Sequence, residues 1–155
     1  MIMTTRDQVE KLLAAEKVDP RVLDELWARL DVVNIDGLSG RWRGRGFDTG
    51  HRTNPLLAAS RWYGKTFTSR FSVQPLVCRG EDGELFSDVK TGKGEASLWM
   101  VEFRGESTAT MVYDGMPVFD HFKRVDETML VGVMNGKGVL DNGEHYWFVL
   151  ELDES

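Results

Sequence analysis

The stretch Gly40-Arg41-Trp42-Arg43-Gly44 opens the part of the chain in which apolar residues stop recurring every three to four positions and begin to alternate. Upstream of it the pattern is helical. Thr5 with Gln8 has the spacing of a capping box, and Val9, Leu12 and Leu13 follow on one face. Asp19-Pro20 is a second start signal, an N-cap followed by proline at the first helical position. Val22, Leu23, Leu26, Trp27 and Leu30 then repeat at helical spacing. Both helices are short and amphipathic, so each needs a surface to lie on. Asn34 to Gly37 ends this part: residues 36–155 read as a β-barrel domain, and residues 1–35 as a helical segment packed on the barrel.

Downstream the period of 2 predicts strands near 39–46, 65–73, 76–79, 85–89, 95–104, 107–113, 117–125, 128–134 and 145–152. Gly/Asp/Asn-rich turns separate most of them, such as Glu81 to Glu84, Thr91 to Gly94, Asp114 to Pro117 and Asn135 to Gly138. Asn54 to Trp62 reads as a short helix between the first two strands. About nine antiparallel strands in so short a span must manage their edges, and closure into a barrel does this best. The expected fold is therefore mainly β: a single antiparallel, calycin-like barrel of about nine strands preceded by two short helices. A two-sheet sandwich is the competitor.

The strand faces favour the barrel. A half-exposed strand alternates cleanly, as 65–73 does with Phe67, Phe71 and Val73 on one side. Later strands are apolar on both sides. With a turn at Gly105-Glu106, Leu98 faces Tyr113, Met100 faces Met111 and Trp99 faces Val112. The next turns put Thr110 opposite His121, Met111 opposite Asp120, Val112 opposite Phe119, then Gly132 opposite His121 and Met134 opposite Phe119. One face then carries Leu98, Met100, Met111, Tyr113, Val118, Asp120, Phe122, Val131 and Val133. The other carries Trp99, Val101, Phe103, Val112, Phe119, His121, Lys123, Leu130 and Met134. One face can line a barrel while helices or a second subunit cover the other; a one-residue slip would exchange them.

Composition narrows the function classes. At 155 residues one domain can bury roughly 68–70% of its unfolded surface without disulfide or metal support. A single cysteine, Cys78, allows no internal disulfide, and the start of the chain lacks a signal-peptide pattern; the expectation is a cytoplasmic protein. No stretch approaches the length of a membrane span. A net charge of −6 argues against nucleic acid as a partner. Basic residues do gather at Arg41, Arg43, Arg45, His51, Arg52, Arg61, Lys65 and Arg70, as a solvated strand face or as a rim for an anionic head group.

The Gly40–Gly44 segment has the form G-x-W-x-G. With Arg45 to His51 and Arg61-Trp62-Tyr63-Gly64-Lys65 it resembles the GXWXG family of bacterial proteins. Ser72 to Leu152, above all Ala109 to Phe122 (ATMVYDGMPVFDHF), resembles the domain of unknown function that accompanies that motif. The resemblance implies a small soluble protein and carries over no catalytic residues. Glycine, one residue, then tryptophan on a first strand is also distantly similar to lipocalins and fatty-acid-binding proteins. Gly-Arg-Trp-Arg-Gly-Arg-Gly resembles the first strand of nitrobindins, which hold haem. In such folds the tryptophan plugs one barrel end, which would make Trp42 structural.

The leading expectation is a binding protein that encloses a small hydrophobic or amphipathic molecule: a fatty acid, a phospholipid or a similar amphiphile. Trp99, Met111, Tyr113, Phe119 and Met134 would surround the apolar part. Tyr63, His121, Asp120 or an Arg61/Lys65 rim would meet the polar end. No cofactor or metal is expected, three histidines without close spacing being a poor zinc set. Haem on His121 is the first alternative. An enzyme with His121 or Asp120 as acid–base is the second, and its pair would need a partner from another strand. A homodimer joined through the second apolar face is the third.

Overall fold

A computed structural model describes residues 2–155. Helix α1 (Thr5–Ala14) begins one residue before the expected box: Thr4 is the N-cap, its hydroxyl accepting from the Asp7 amide while the Asp7 carboxylate accepts from the Thr4 amide. Helix α2 (Pro20–Arg29) starts as expected, with the Asp19 side chain capping the Arg21 amide and proline at the first position. Strands β1 (Asp31–Val32), β2 (Gly40–Gly46), helix α3 (Thr53–Ala59), β3 (Trp62–Ser69), β4 (Ser72–Arg79), β5 (Leu85–Ser87), a short helix α4 (Val89–Gly92), β6 (Ala96–Phe103), β7 (Glu106–Tyr113), β8 (Val118–Asp126), β9 (Met129–Gly136) and β10 (Tyr146–Leu152) complete the chain.

The strands form one antiparallel sheet that closes on itself in the order β8-β7-β6-β4-β3-β2-β10-β9 and back to β8; β1 adds to β8 and β5 to β4. Closure leaves the ring without a free edge. It is not uniform: β4 and β6 share one ladder pair, Val73 with Ala96, helped by the Leu98 amide donating to the Arg70 carbonyl at 2.8 Å. Beyond that pair β4 turns to β5, and α4 comes next.

Two of the expected strands are redrawn. Residues 65–73 are not one strand, because the chain reverses at Arg70-Phe71 and 76–79 belongs to the same strand as Ser72. Phe71, expected inside with Phe67, is consequently 69% exposed. The β7–β8 register is as expected, with Thr110, Met111 and Val112 opposite His121, Asp120 and Phe119. The β6–β7 pairing is offset by two residues, Leu98 lying opposite Met111, which leaves the faces unchanged. The β8–β9 pairing is offset by one. An irregularity between Arg124 and Asp126 sets Val133, not Gly132, opposite His121, and Met134 opposite Asp120. That slip exchanges faces: Leu130 and Met134 point into the barrel, Val131 and Val133 outward.

Two apolar clusters result. The inner one fills the barrel with Trp42, Phe67, Leu98, Met111, Phe122, Phe148 and Leu150. Trp42 is buried there, its indole N–H donating to the Ser39 carbonyl at 2.9 Å. The outer one joins Val9, Leu23, Leu26 and Trp27 of the helices to Met129, Val131, Val133, Trp147 and Val149 of the sheet. This chain's own helices thus cover the part of the second apolar face formed by β9 and β10. Polar ties fix them: the Lys123 ammonium, fully buried, donates to the Trp27 carbonyl in the last turn of α2 at 3.0 Å and pairs with Glu106. Arg6 of α1 reaches Asp126, Thr128 and Glu151. No helix among the described residues is long and apolar enough to cross a membrane.

Candidate functional site

Alternation on β3, β4, β7, β8, β9 and β10 turns Lys65, Leu76, Cys78, Tyr113, Val118, Asp120, Met134, Tyr146 and Phe148 toward one end of the barrel, where they enclose a cavity of about 350 Å³. Trp62 adds its indole, Met116 the β7–β8 turn, and α3 lies across the mouth with Thr53, Leu56, Leu57 and Ser60. Asp88 and Thr91 of α4 supply the remaining side, in the wedge where β4 and β6 part. The volume falls in the range of small-molecule sites, and the walls are mostly aromatic and aliphatic.

The signature glycines shape this cavity from behind. A Cβ on Gly44 would overlap the Trp62 indole, so the absence of a side chain there lets that ring lie flat against β2. At Gly64 the β2 backbone passes so close that a Cβ would strike the Trp42 carbonyl. Trp62 in turn donates its indole N–H to the Gly64 carbonyl at 3.0 Å and meets Phe148 edge-on at 5.9 Å.

The polar core of the cavity is a pair brought together from opposite sides of the ring. Lys65 Nζ on β3 lies 2.9 Å from Asp120 Oδ2 on β8, and both side chains are buried. The ammonium also donates to the Pro75 carbonyl at 3.1 Å and faces the rings of Phe148, Trp62 and Tyr113 at 5.3, 5.6 and 5.9 Å. Asp120 Oδ1 has no hydrogen-bond partner among the described residues. Burial pushes the Asp120 carboxyl above its ordinary range, with Lys65 pulling the other way. Burial likewise raises the Tyr113 and Tyr146 phenols, with Asp120 adding to both, and the Cys78 thiol. A phenol and a thiol so raised stay neutral at physiological pH, so the charges of the cavity wall are the buried Lys65–Asp120 pair and, on the α4 side, the Asp88 carboxylate, held below its ordinary range by its bonds to Thr91.

Of the residues expected at a site, Lys65, Tyr113, Asp120 and Met134 come together here. Met111 is deeper, in the packed barrel core. Lys65 is part of no basic rim: it is buried, while Arg61 is an exposed residue at φ 57° donating to the Gly80 carbonyl. Tyr63 is turned away to Asp153 on the outer side. Arg43 and Arg45, also on the outer side, pair with Glu151 and Glu10. Trp99 and Phe119 lie on the outer face, Trp99 41% exposed and edge-on to Phe71.

His121 is on the outer face too, which corrects its expected place beside a ligand. Its ring stacks on Phe103 at 4.2 Å, and its hydrogen bonds define a single tautomer. The Gly136 amide donates to Asn135 Oδ1, so Asn135 Nδ2 is the end that donates to His121 Nε2, at 3.1 Å. Nδ1–H then donates to Thr110 Oγ1 at 2.8 Å, and Thr110 passes its own proton to the Thr108 carbonyl. Burial, reinforced by His145, pushes His121 down to about 4. It is a neutral, fully bonded histidine facing away from the cavity, and no cavity-lining residue is a histidine. Haem ligation and acid–base work through His121 both lose their geometry. No group of His, Cys, Asp or Glu among the described residues is arranged to hold a metal.

The fold and site define a closed antiparallel barrel with a small apolar end-cavity around one buried ion pair. Residues 25–83 match the GXWXG protein family and residues 94–151 the domain of unknown function DUF4334. The chain belongs to the family that joins these two segments. It is similar throughout to a protein from Thermomonospora curvata of known crystal structure: 37% identity, 97% of this chain and 99% of that one covered, TM-score 0.87. No curated protein matches it significantly.

Trp62, Leu76, Cys78, Tyr146, Phe148 and the α3 and α4 residues were not singled out by sequence reasoning. Tyr146 and Phe148 had a usable signal, since they alternate with Trp147 and Val149 on the last strand. What was missing was the knowledge of which parity points inward.

Proposed function

We propose that this protein binds one small, largely apolar molecule in the barrel-end cavity, with the Lys65–Asp120 pair meeting its polar group. The supporting observation is a mostly aromatic and aliphatic cavity of about 350 Å³ that contains a buried ion pair with one carboxylate oxygen left over. Apolar burial drives entry at roughly 25 cal/mol per Å² of surface removed from water. The polar group fixes orientation, because a buried group left unpaired is costly. A phospholipid with two acyl chains exceeds such a volume, so the ligand class narrows to single-chain or single-ring compounds.

Native mass spectrometry of the protein as purified, followed by titration with a small apolar fluorophore such as 1-anilinonaphthalene, tests this. The expected result is one bound molecule per chain and saturable binding that a cavity-filling Leu57→Trp substitution abolishes. A chain that carries nothing and gives no saturable probe binding overturns the reading.

A second reading is favoured by one observation. A buried carboxylate that lines an apolar cavity, held above its ordinary range and with one oxygen unpartnered, has the disposition of a general base. Deuterium exchange at the α-carbon of small ketones in heavy water, lost in the double replacement Lys65→Met with Asp120→Leu, is the result it requires.

A further inference from the structure

The hydrogen-bonding capacity of the ion pair is unevenly spent, and the remainder specifies what a ligand must bring. Lys65 directs its ammonium to Asp120 Oδ2 and the Pro75 carbonyl, and aromatic rings surround it. Two of its three N–H donors are spent on those oxygens. Asp120, which lines the cavity, has spent one oxygen on Lys65, and its buried Oδ1 has no partner among the described residues.

From this we infer that the cavity selects uncharged molecules that carry a hydrogen-bond donor, an alcohol, phenol or amide N–H, on a compact apolar body. The inference rests on the binding function proposed above and names the ligand class. Three comparisons of chemistry carry it. A free carboxylate brings a second negative charge next to Asp120 and no donor for Oδ1, and Lys65 has one N–H left for it against two already spent. An ammonium brings donors, but at Asp120 it would set a second positive charge beside Lys65; Asp88, on the α4 side, is the other carboxylate lining the cavity. A neutral donor satisfies Oδ1 and leaves the pair's charges balanced. Fatty acids, the expectation from resemblance to fatty-acid-binding barrels, are thereby disfavoured as ionised species.

Two isomers separate donor chemistry from hydrophobicity. 1-Octanol and heptyl methyl ether contain the same atoms, and only the alcohol can donate. Calorimetric titration of the native chain near neutral pH is expected to show the alcohol binding on the order of tenfold more tightly than the ether, as pairing a buried acceptor requires. Octanoate and octylammonium are expected to bind more weakly than the alcohol.

Asp120→Asn alone would strand the buried Lys65, so the variant of choice is the double replacement Lys65→Met with Asp120→Leu, which removes both charges. In it the ether is expected still to bind and the alcohol's advantage to vanish. Equal binding of alcohol and ether by the native chain overturns the inference while leaving the binding function standing. So does tightest binding of octanoate or octylammonium. If none of the four binds, the proposed function falls and the inference with it.

Discussion

Acid should weaken this protein through His121 specifically, and the size of the effect is set by its surroundings. The imidazole is buried against Phe103 and bonded at both nitrogens, and burial, reinforced by His145, pushes it to about 4 from an ordinary 6.5. Between those pH values the unfolded chain binds a proton at this position and the folded chain does not. The stabilisation is therefore complete above pH 6.5 and is lost as pH falls toward 4, with nothing further to lose from this group below that. Each pH unit of offset corresponds to about 1.4 kcal/mol, so the loss amounts to about 3 kcal/mol. His51 and His145, also lowered chiefly by burial, act in the same direction, so the native curve alone does not isolate His121. His121→Gln does, because an amide can accept from Asn135 and donate to Thr110 without titrating. Urea unfolding at half-unit steps from about pH 4 to about pH 8 should show the native chain losing about 3 kcal/mol more than the variant. Parallel curves for the two proteins would refute the reasoning, whatever the variant's stability at neutral pH.

The same contacts set other expectations. Lys65→Met alone leaves Asp120 buried without its counter-charge and should cost about 3–5 kcal/mol in urea unfolding, most of it recovered on adding Asp120→Leu. Gly44→Ala should dislodge Trp62 from its seat on β2, read as a change in tryptophan emission and a loss of apolar-probe binding. Trp42→Ala, emptying a large site in the barrel core, should cost about 3–5 kcal/mol in the same unfolding assay. Trp99→Ser removes an edge-on contact with Phe71 and a cation–π contact with Arg70 on the outer surface, and should cost about 1–2 kcal/mol in that assay while leaving apolar-probe binding unchanged.

How much of this was legible from sequence varies with the physical signal at each place. The switch at Gly40 from helical to strand period, the Asp19-Pro20 start and the β7–β8 register arise from local chemistry and agree with the structure. The reversal at Arg70-Phe71 was invisible because it uses neither glycine, proline, asparagine nor aspartate. The faces of β9 were exchanged because one irregularity after Arg124 shifts every later residue by one position. Hydrophobicity could not repair that error, since both faces are apolar: one fills the barrel and the other lies beneath α1 and α2. Asp120 could be singled out as a residue, but Lys65 stands fifty-five positions away, and only ring closure sets the two side by side.

The single pair joining β4 to β6 makes this ring, mechanically, a split one. Every other seam is a ladder of several rungs, whereas this one is held by the Val73–Ala96 pair and the bonds between Arg70 and Leu98. The wedge is filled by the short segment that carries Asp88 and Thr91. Changes of length or bulk in that segment can therefore resize the chamber without retuning a single strand register. A designer seeking a larger chamber would begin there.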